Sequence, residues 1–131
     1  MACVLGCGID IEERIRFTKH IQPQGNSSLI EKIFTPEEIH FNIKNNPSLR
    51  FALGFSCKES VFKALGVSWM NSPMEWTDIE LVWKDGADIL KHEIKLHNYA
   101  MELFQNMGGD QLISDFEFNN EYVFFKVMIA R

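Results

Sequence analysis

Two short segments of the sequence combine residue types that can hold a metal ion and neutralise an anion. The first segment is Gly8-Ile9-Asp10-Ile11-Glu12. Asp10 and Glu12 lie two residues apart at the end of a predicted strand, so their carboxylates project to the same side. Two carboxylates on a rigid edge suit Mg²⁺, which takes few protein oxygens together with water and phosphate oxygens. The alternative interpretation is an acidic cap on an edge strand.

The second segment is Phe55-Ser56-Cys57-Lys58-Glu59-Ser60-Val61-Phe62-Lys63. On a helix, Glu59 and Lys63 are four residues apart and therefore face the same direction. Considered alone, the pair is interpreted as a solvated ion pair that stabilises the helix by roughly 0.2–0.5 kcal/mol. The two segments are more informative together than either is alone.

A first strand and a long helix must position these residues. Residues 2–9 are short and apolar, which predicts a buried strand that ends at Asp10. The helix is predicted from Leu49 to Leu65, because apolar and small residues follow one helical track there. Ser48 is the predicted cap of this helix and Gly66 its stop signal.

The remaining pattern predicts an α+β fold. Thr35-Pro36-Glu37-Glu38 has the form of a capped helix start, and that helix should end near Lys44. Mixed helices and strands, with hairpins as the commonest link, indicate an antiparallel sheet packed on the long helix. The other predicted elements are a helix or irregular turn over 12–21, loops over 22–28 and 67–77, strands over 79–83, 89–96, 112–118 and 122–130, a hairpin turn at Asp85-Gly86, and a helical stripe over 99–107.

Composition limits the class of protein. The 131 residues are 46% hydrophobic and 24% charged, so we expect one globular domain over residues 1–131. The net charge of −5 argues against a nucleic-acid partner. No stretch approaches the roughly 20 apolar residues that span a bilayer, and the apolar start lacks the basic region of a signal peptide. The spacing of Cys3, Cys7 and Cys57 fits no zinc or redox motif, so we expect reduced thiols in a cytoplasmic protein.

Together, the two segments resemble the signature of the 4′-phosphopantetheinyl transferase superfamily. That signature is a Gly-Ile-Asp segment followed by a helix with the pattern Phe/Trp-x-x-Lys-Glu-x-x-x-Lys. The separation of the segments is typical of the small, holo-acyl-carrier-protein-synthase-like branch. The similarity covers most of the chain in the right order, because it continues through Phe34–Glu38, Lys63–Gly66, Trp76–Glu80 and Glu121-Tyr122.

The resemblance implies an enzyme that moves 4′-phosphopantetheine from coenzyme A to a serine of an apo acyl carrier protein or synthase carrier domain, releasing 3′,5′-ADP. Such a transfer requires mainly positioning and charge neutralisation, with Mg²⁺ as the implied cofactor. Asp10 and Glu59 fall on the family's metal-ligand positions, and Glu12 matches a third acid of the larger, surfactin-type enzymes. Glu59, or a water that it orients, would take the serine proton, whereas Lys63 would neutralise the phosphate of coenzyme A or act as the base.

The resemblance also implies how the chain meets its partners. The larger enzymes contain two tandem copies of a similar unit with the active site at their junction, so a single copy implies a site between subunits. By analogy with small-branch relatives we expect a homotrimer. The acidic carrier protein would dock on a basic patch formed by Arg14, Arg16 and Lys19. The alternative interpretation of these three residues is a solvated helix face.

Two positions depart from the family pattern. The family often has Ser-x-Ser-His before the final hairpin, where it helps to hold coenzyme A, and alignment on Glu121-Tyr122 places Asp115-Phe116-Glu117-Phe118 there. Carboxylates that face a phosphate repel it unless a cation intervenes. Gly54 stands where small-branch relatives frequently have Arg. These departures motivate the alternative hypothesis of a catalytically impaired relative that binds a carrier protein or a synthase complex. If the chain is an active transferase, we expect Asp115 and Glu117 to point to solvent and other residues to hold the nucleotide.

Overall fold

Helices and antiparallel strand pairs are mixed along the chain, as the predicted α+β fold requires. The computed structural model describes residues 3–21, 28–68, 70, 72–84, 88–89 and 91–131. A one-turn 3₁₀ helix, Trp76–Asp78, precedes the second strand. The elements in chain order are β1 (Val4–Glu13), α1 (Ile15–Thr18), α2 (Ser28–Ile33), α3 (Pro36–Lys44), α4 (Pro47–Ala64), β2 (Ile79–Trp83), β3 (His92–Leu96), α5 (Asn98–Asn106), β4 (Gln111–Phe118) and β5 (Tyr122–Ala130).

The main sheet is antiparallel and has the strand order β1-β5-β4. Its pairing places Asp10 opposite Phe125 and Asp115 opposite Lys126. The predicted apolar face of β5 is confirmed and packs on α4, because all four of its residues are buried: Val123, Phe125, Val127 and Ile129. Strands β2 and β3 form a separate antiparallel pair instead of joining this sheet.

Helix α4 is the central element of the core. All its residues from Leu49 to Lys58 are buried, and Glu59 and Lys63 stand out as more accessible positions in its second half. A helix that is buried on nearly all sides is typical of the centre of a domain. Gly66 follows the helix with φ 74°, which confirms the predicted stop.

The predicted start of α4 is wrong. The cap is Asn46, with φ 55°, and Pro47 occupies the first turn, where its missing N–H leaves no donor unpaired. Ser48 instead accepts a hydrogen bond from Arg14 Nη2 at 3.2 Å. A long-range contact therefore uses the hydroxyl that the local pattern assigned to capping.

Two other boundaries and one helix differ from the prediction. Strand β1 continues past Asp10, because its pairing with β5 extends to Glu13 opposite Tyr122. Helix α2 was not predicted; it forms because Ile30 and Ile33 are buried in the core. Strand β3 begins at His92, later than expected. The predicted turn at 85–86 and most of the predicted loop 22–28 lie outside the described residues.

The described helices include none with both the length and the apolar character that a bilayer crossing needs. Cys3 and Cys7 are exposed free thiols, and Cys57 is a buried one. Burial and apolar surroundings raise the pKa of the Cys57 thiol, which keeps it protonated.

The assignment of residues 1–131 to one domain stays a prediction.

Candidate active site

Two glycines of β1 let the strand lie directly against α4. A Cβ atom on Gly8 would stand 1.9 Å from the carbonyl oxygen of Ser60, and one on Gly6 would stand 2.1 Å from that of Ala64. Contacts this short do not occur between real atoms, so only glycine allows this approach. The glycine of the Gly-Ile-Asp segment is therefore required for packing and brings the first segment against the second.

Two hydroxyl groups of α4 fix its position along the sheet. Ser56 Oγ donates to the carbonyl oxygen of Asp10 at 3.1 Å, and Ser60 Oγ donates to that of Phe125 at 3.0 Å. Both serines are fully buried, and Asp10 and Phe125 face each other across β1 and β5. Asp10 is thereby held beside the next turn of α4.

Asp10 and Lys63 form the centre of the site. Lys63 Nζ donates to Asp10 Oδ1 at 3.3 Å and to the carbonyl oxygen of Ile9 at 2.8 Å. The Asp10 side chain is 10% exposed, whereas that of Lys63 is 51% exposed. Asp10 Oδ2 is buried and has no hydrogen-bond partner. A buried carboxylate oxygen without a donor is unfavourable unless a cation or ligand meets it.

Glu12 lies beside Asp10 and pairs with Arg16. Arg16 Nη1 donates to Glu12 Oε2 at 2.8 Å. The pKa of Glu12 is raised to about 7 by burial, by the charge of Asp10 and by a hydrogen bond that forms when one of the two carboxyls is protonated; Arg16 opposes this. Between pH 4.5 and 7 the folded protein therefore binds more protons than the unfolded chain, and its stability without metal falls as pH rises through this window.

Glu59 faces a cavity of about 260 Å³ next to these acids. Its pKa is raised, first by burial and then by the charge of Asp10, against the charges of Lys63 and Arg16. Phe55 and Trp76 form part of the apolar wall and stack with ring centroids 5.1 Å apart. The cavity thus combines an apolar surface with a carboxylate that lies within the electrostatic influence of Asp10.

The residues fit a divalent cation at Asp10 and Glu12. Mg²⁺ takes few protein carboxylates, and Asp10 Oδ2 offers the unpartnered buried oxygen that such an ion needs. Within the described part of the chain, no cluster of three or more His, Cys, Asp or Glu side chains is arranged to hold a metal ion. The joint assignment of Asp10, Glu12 and Glu59 as metal ligands stays a prediction.

A buried ion pair beside the site was missed from the sequence. Lys58 Nζ donates to Glu38 Oε1 at 2.9 Å, to the carbonyl oxygen of Trp76 at 3.2 Å and to that of Ile79. Glu38 Oε2 accepts from the backbone N–H of Leu81 at 3.2 Å. The pair connects α3, α4 and β2 directly next to Glu59. The available signal was that both charges belong to the motif segments, at Phe34–Glu38 and Lys58-Glu59.

The predicted docking residues have different surroundings. Arg14 Nη1 donates to the carbonyl oxygen of Asn119 at 2.7 Å, so Arg14 ties the end of β1 to the β4–β5 turn. Arg16 lies with its guanidinium carbon 5.2 Å from the centre of the Phe55 ring. Lys19 is exposed just after α1. Their role in docking a carrier protein stays a prediction.

The two departures from the family pattern have structural explanations. Asp115 and Glu117 are exposed on the face of β4 opposite the core, and Asp115 Oδ2 lies 3.8 Å from Lys126 Nζ. A Cβ atom on Gly54 would lie 2.9 Å from Phe34 Cε1, so a larger residue there requires Phe34 to move. Gly54 is therefore a packing residue in this chain.

Comparison with known sequences identifies close relatives. The sequence model of the 4′-phosphopantetheinyl transferase superfamily matches residues 6–114, which contain both motif segments. A holo-acyl-carrier-protein synthase of Geobacter sp. strain M21 is 41% identical over 106 residues, which are 80% of this chain and 81% of that protein. A synthase of the same name from Geobacter sulfurreducens is 31% identical over 129 residues, or 98% of each chain.

Comparison with solved structures confirms the fold. The holo-acyl-carrier-protein synthase of Neisseria meningitidis superposes with a TM-score of 0.77 at 20% identity, over 97% of this chain and 98% of that one. The Helicobacter pylori synthase in complex with coenzyme A gives a TM-score of 0.74 at 21% identity, over 94% and 98% of the respective chains. At these identities the similarity establishes the fold and leaves the chemistry to the site residues.

Proposed function

The chain belongs to the 4′-phosphopantetheinyl transferase superfamily, and from that premise we propose that it is a holo-acyl-carrier-protein synthase. It transfers 4′-phosphopantetheine from coenzyme A to a serine of an apo acyl carrier protein and releases 3′,5′-ADP. The observation that carries the proposal is the meeting of the two motif segments, in which Lys63 of α4 contacts the buried Asp10 of β1 at 3.3 Å.

The chain's own side chains divide the work of this transfer. Lys63 is half-exposed and cationic, so its ammonium group can neutralise a phosphate of coenzyme A while it stays hydrogen-bonded to Asp10. Glu59 takes the proton of the attacking serine, directly or through a water, because a raised pKa makes its ionised form a stronger base. Asp10, Glu12 and Glu59 are the residues that would hold Mg²⁺, and the ion would supply further charge neutralisation for the diphosphate.

The outer face of the main sheet supports a homotrimer with shared active sites. Ile9 and Ile11 of β1 are 53% and 60% exposed, and Ile113 of β4 is 48% exposed on the same face. Exposed isoleucines beside the Asp115–Lys126 pair of the same face give it the mixed apolar and charged surface of a protein–protein interface. Light scattering tests the assembly: Ile11→Lys should give monomers without activity, and Ile43→Lys on the exposed side of α3 should behave as wild type. A wild-type monomer with full activity would contradict the shared site.

Carrier-dependent release of 3′,5′-ADP tests the proposed reaction. The chain is incubated with coenzyme A, Mg²⁺ and a panel of apo carrier proteins, and the nucleotide is measured by chromatography. Release should require both the metal and the carrier's serine. The alternative of a catalytically impaired, carrier-binding relative predicts no release and no calorimetric binding of coenzyme A.

The cytoplasmic location, indicated by the three free thiols, stays a prediction.

A further inference from the structure

Arg16 lies on the solvent side of Glu12, a carboxylate of the proposed metal site. Its Nη1 lies 2.8 Å from Glu12 Oε2, although Glu12 belongs to β1 and Arg16 to α1. The Glu12 side chain is 10% exposed and that of Arg16 is 59% exposed. The buried partner is thus the acid, and the arginine reaches it from the solvent side.

Lys63, a second cation of the site, is bonded to groups other than Glu12. Lys63 Nζ is bonded to Asp10 Oδ1 and to the carbonyl oxygen of Ile9. Asp10 and Glu12 are close enough for their charges to repel each other, and Asp10 Oδ2 has no partner. Among the residues that the structure describes, Arg16 is therefore the cation that pairs with Glu12.

The Arg16 guanidinium also contacts a second group, the Phe55 ring, which can hold it if it separates from Glu12. Its carbon lies 5.2 Å from the centre of the Phe55 ring, and Arg16 lines the cavity that Glu59 faces. An arginine over an aromatic ring is held by attraction to the ring's face. Movement away from Glu12 would leave Arg16 on the cavity wall instead of in bulk water.

We propose that Arg16 is an internal counter-cation that competes with the divalent metal ion for Glu12 and so sets the metal affinity of the site. This inference rests on the proposed function, since it concerns the metal that the transfer uses. Arg16 is a positioning residue here, because it acts through Glu12. In the absence of metal, Arg16 holds the Glu12 carboxylate in place. When the metal binds, Arg16 Nη1 separates from Glu12 Oε2, and this oxygen becomes available to the ion.

Metal binding without coenzyme A and without a carrier protein tests this inference. Mg²⁺ is titrated against the full chain at about pH 8.5, where Glu12 is ionised and protons no longer compete. Affinity is read by calorimetry and by the rise of the unfolding temperature with Mg²⁺ concentration. Arg16→Gln should bind Mg²⁺ about threefold to tenfold more tightly than wild type, because one repelling charge is removed. Arg16→Lys should restore most of the wild-type affinity.

Two controls separate this effect from a general change in charge. Lys19→Gln removes a positive charge just after the same short helix and should leave the affinity within about twofold of wild type. In a Glu12→Gln background, Arg16→Gln should have an effect smaller than about twofold, because the competed carboxylate is gone.

Unchanged or weaker Mg²⁺ binding by Arg16→Gln would overturn the inference. So would an equal effect of Arg16→Gln with and without Glu12, or the absence of Mg²⁺ binding in every variant. Each of these results leaves carrier modification to be judged by its own assay, so the two proposals fail separately.

Discussion

The buried pair of Lys58 and Glu38 should be the strongest electrostatic determinant of stability near the site. The two side chains are 0% and 2% exposed, and their charged atoms are 2.9 Å apart. Replacing Lys58 with Met keeps much of the volume but leaves the Glu38 carboxylate buried without a cation. The N–H groups of Thr35 and Leu81 would then be its remaining partners, at 3.0 and 3.2 Å.

The expected loss follows from the burial of this pair. Breaking a buried ion pair by removing one partner reduces the free energy of unfolding by about 3–5 kcal/mol. A domain of this size is stable by roughly 5–15 kcal/mol, so Lys58→Met should remove a large fraction of the total. The double variant Lys58→Met/Glu38→Gln removes both charges and should be less destabilised than the sum of the single variants, by about 2 kcal/mol.

Urea unfolding, followed by tryptophan fluorescence and circular dichroism, measures these differences. Lys84→Met is the matched control, because Lys84 forms an exposed pair with Glu93 at 3.8 Å, and its loss should change stability by less than about 1 kcal/mol. Equal destabilisation by Lys58→Met and Lys84→Met, or additive effects of Lys58→Met and Glu38→Gln, would show that the buried pair does not stabilise the fold as proposed.

Three further predictions concern the site itself. Gly8→Ala should destabilise the chain by at least about 2 kcal/mol, because its Cβ would collide with the carbonyl oxygen of Ser60, whereas the exposed neighbour variant Cys7→Ala should be nearly neutral in the same urea assay. In chelator, the stability gained by Glu12→Gln should grow as the pH rises from about 4 to about 8, and a gain independent of pH would contradict the raised pKa of Glu12. Lys63→Met should lower kcat/KM for coenzyme A by about 100-fold in protein that circular dichroism shows to be folded, and wild-type kinetics would exclude Lys63 from the transfer.

Local chemistry was sufficient to predict some elements of the fold. Helix α3 begins and ends where expected, because the side chains of Thr35 and Glu38 form the reciprocal capping bonds that the sequence indicated. The apolar face of β5 was equally clear from its alternation. The start of α4 was not, because Ser48 is taken up by Arg14, thirty-four residues earlier in the sequence.

The spacing of residues in the sequence was not sufficient to predict the contacts of the site. Asp10 meets Lys63 because Gly8 lets β1 contact α4 closely, and the resemblance to a family, not the local pattern, indicated that both residues belong to one site. Lys58 and Glu38 both belong to the motif segments, but their spacing of twenty residues does not show that the two charges will be buried together. Such pairs depend on how α3 and α4 pack, which is decided by the whole core.

The most direct test of the central claim is the intact mass of an apo acyl carrier protein after incubation with the chain, coenzyme A and Mg²⁺. With the wild-type chain the carrier should gain the mass of one phosphopantetheine group. Glu59→Gln, or a carrier whose acceptor serine is replaced by alanine, should give no comparable gain. No gain on any carrier in the panel, or an equal rate of gain with Glu59→Gln, would show that the chain does not carry out the proposed transfer through Glu59.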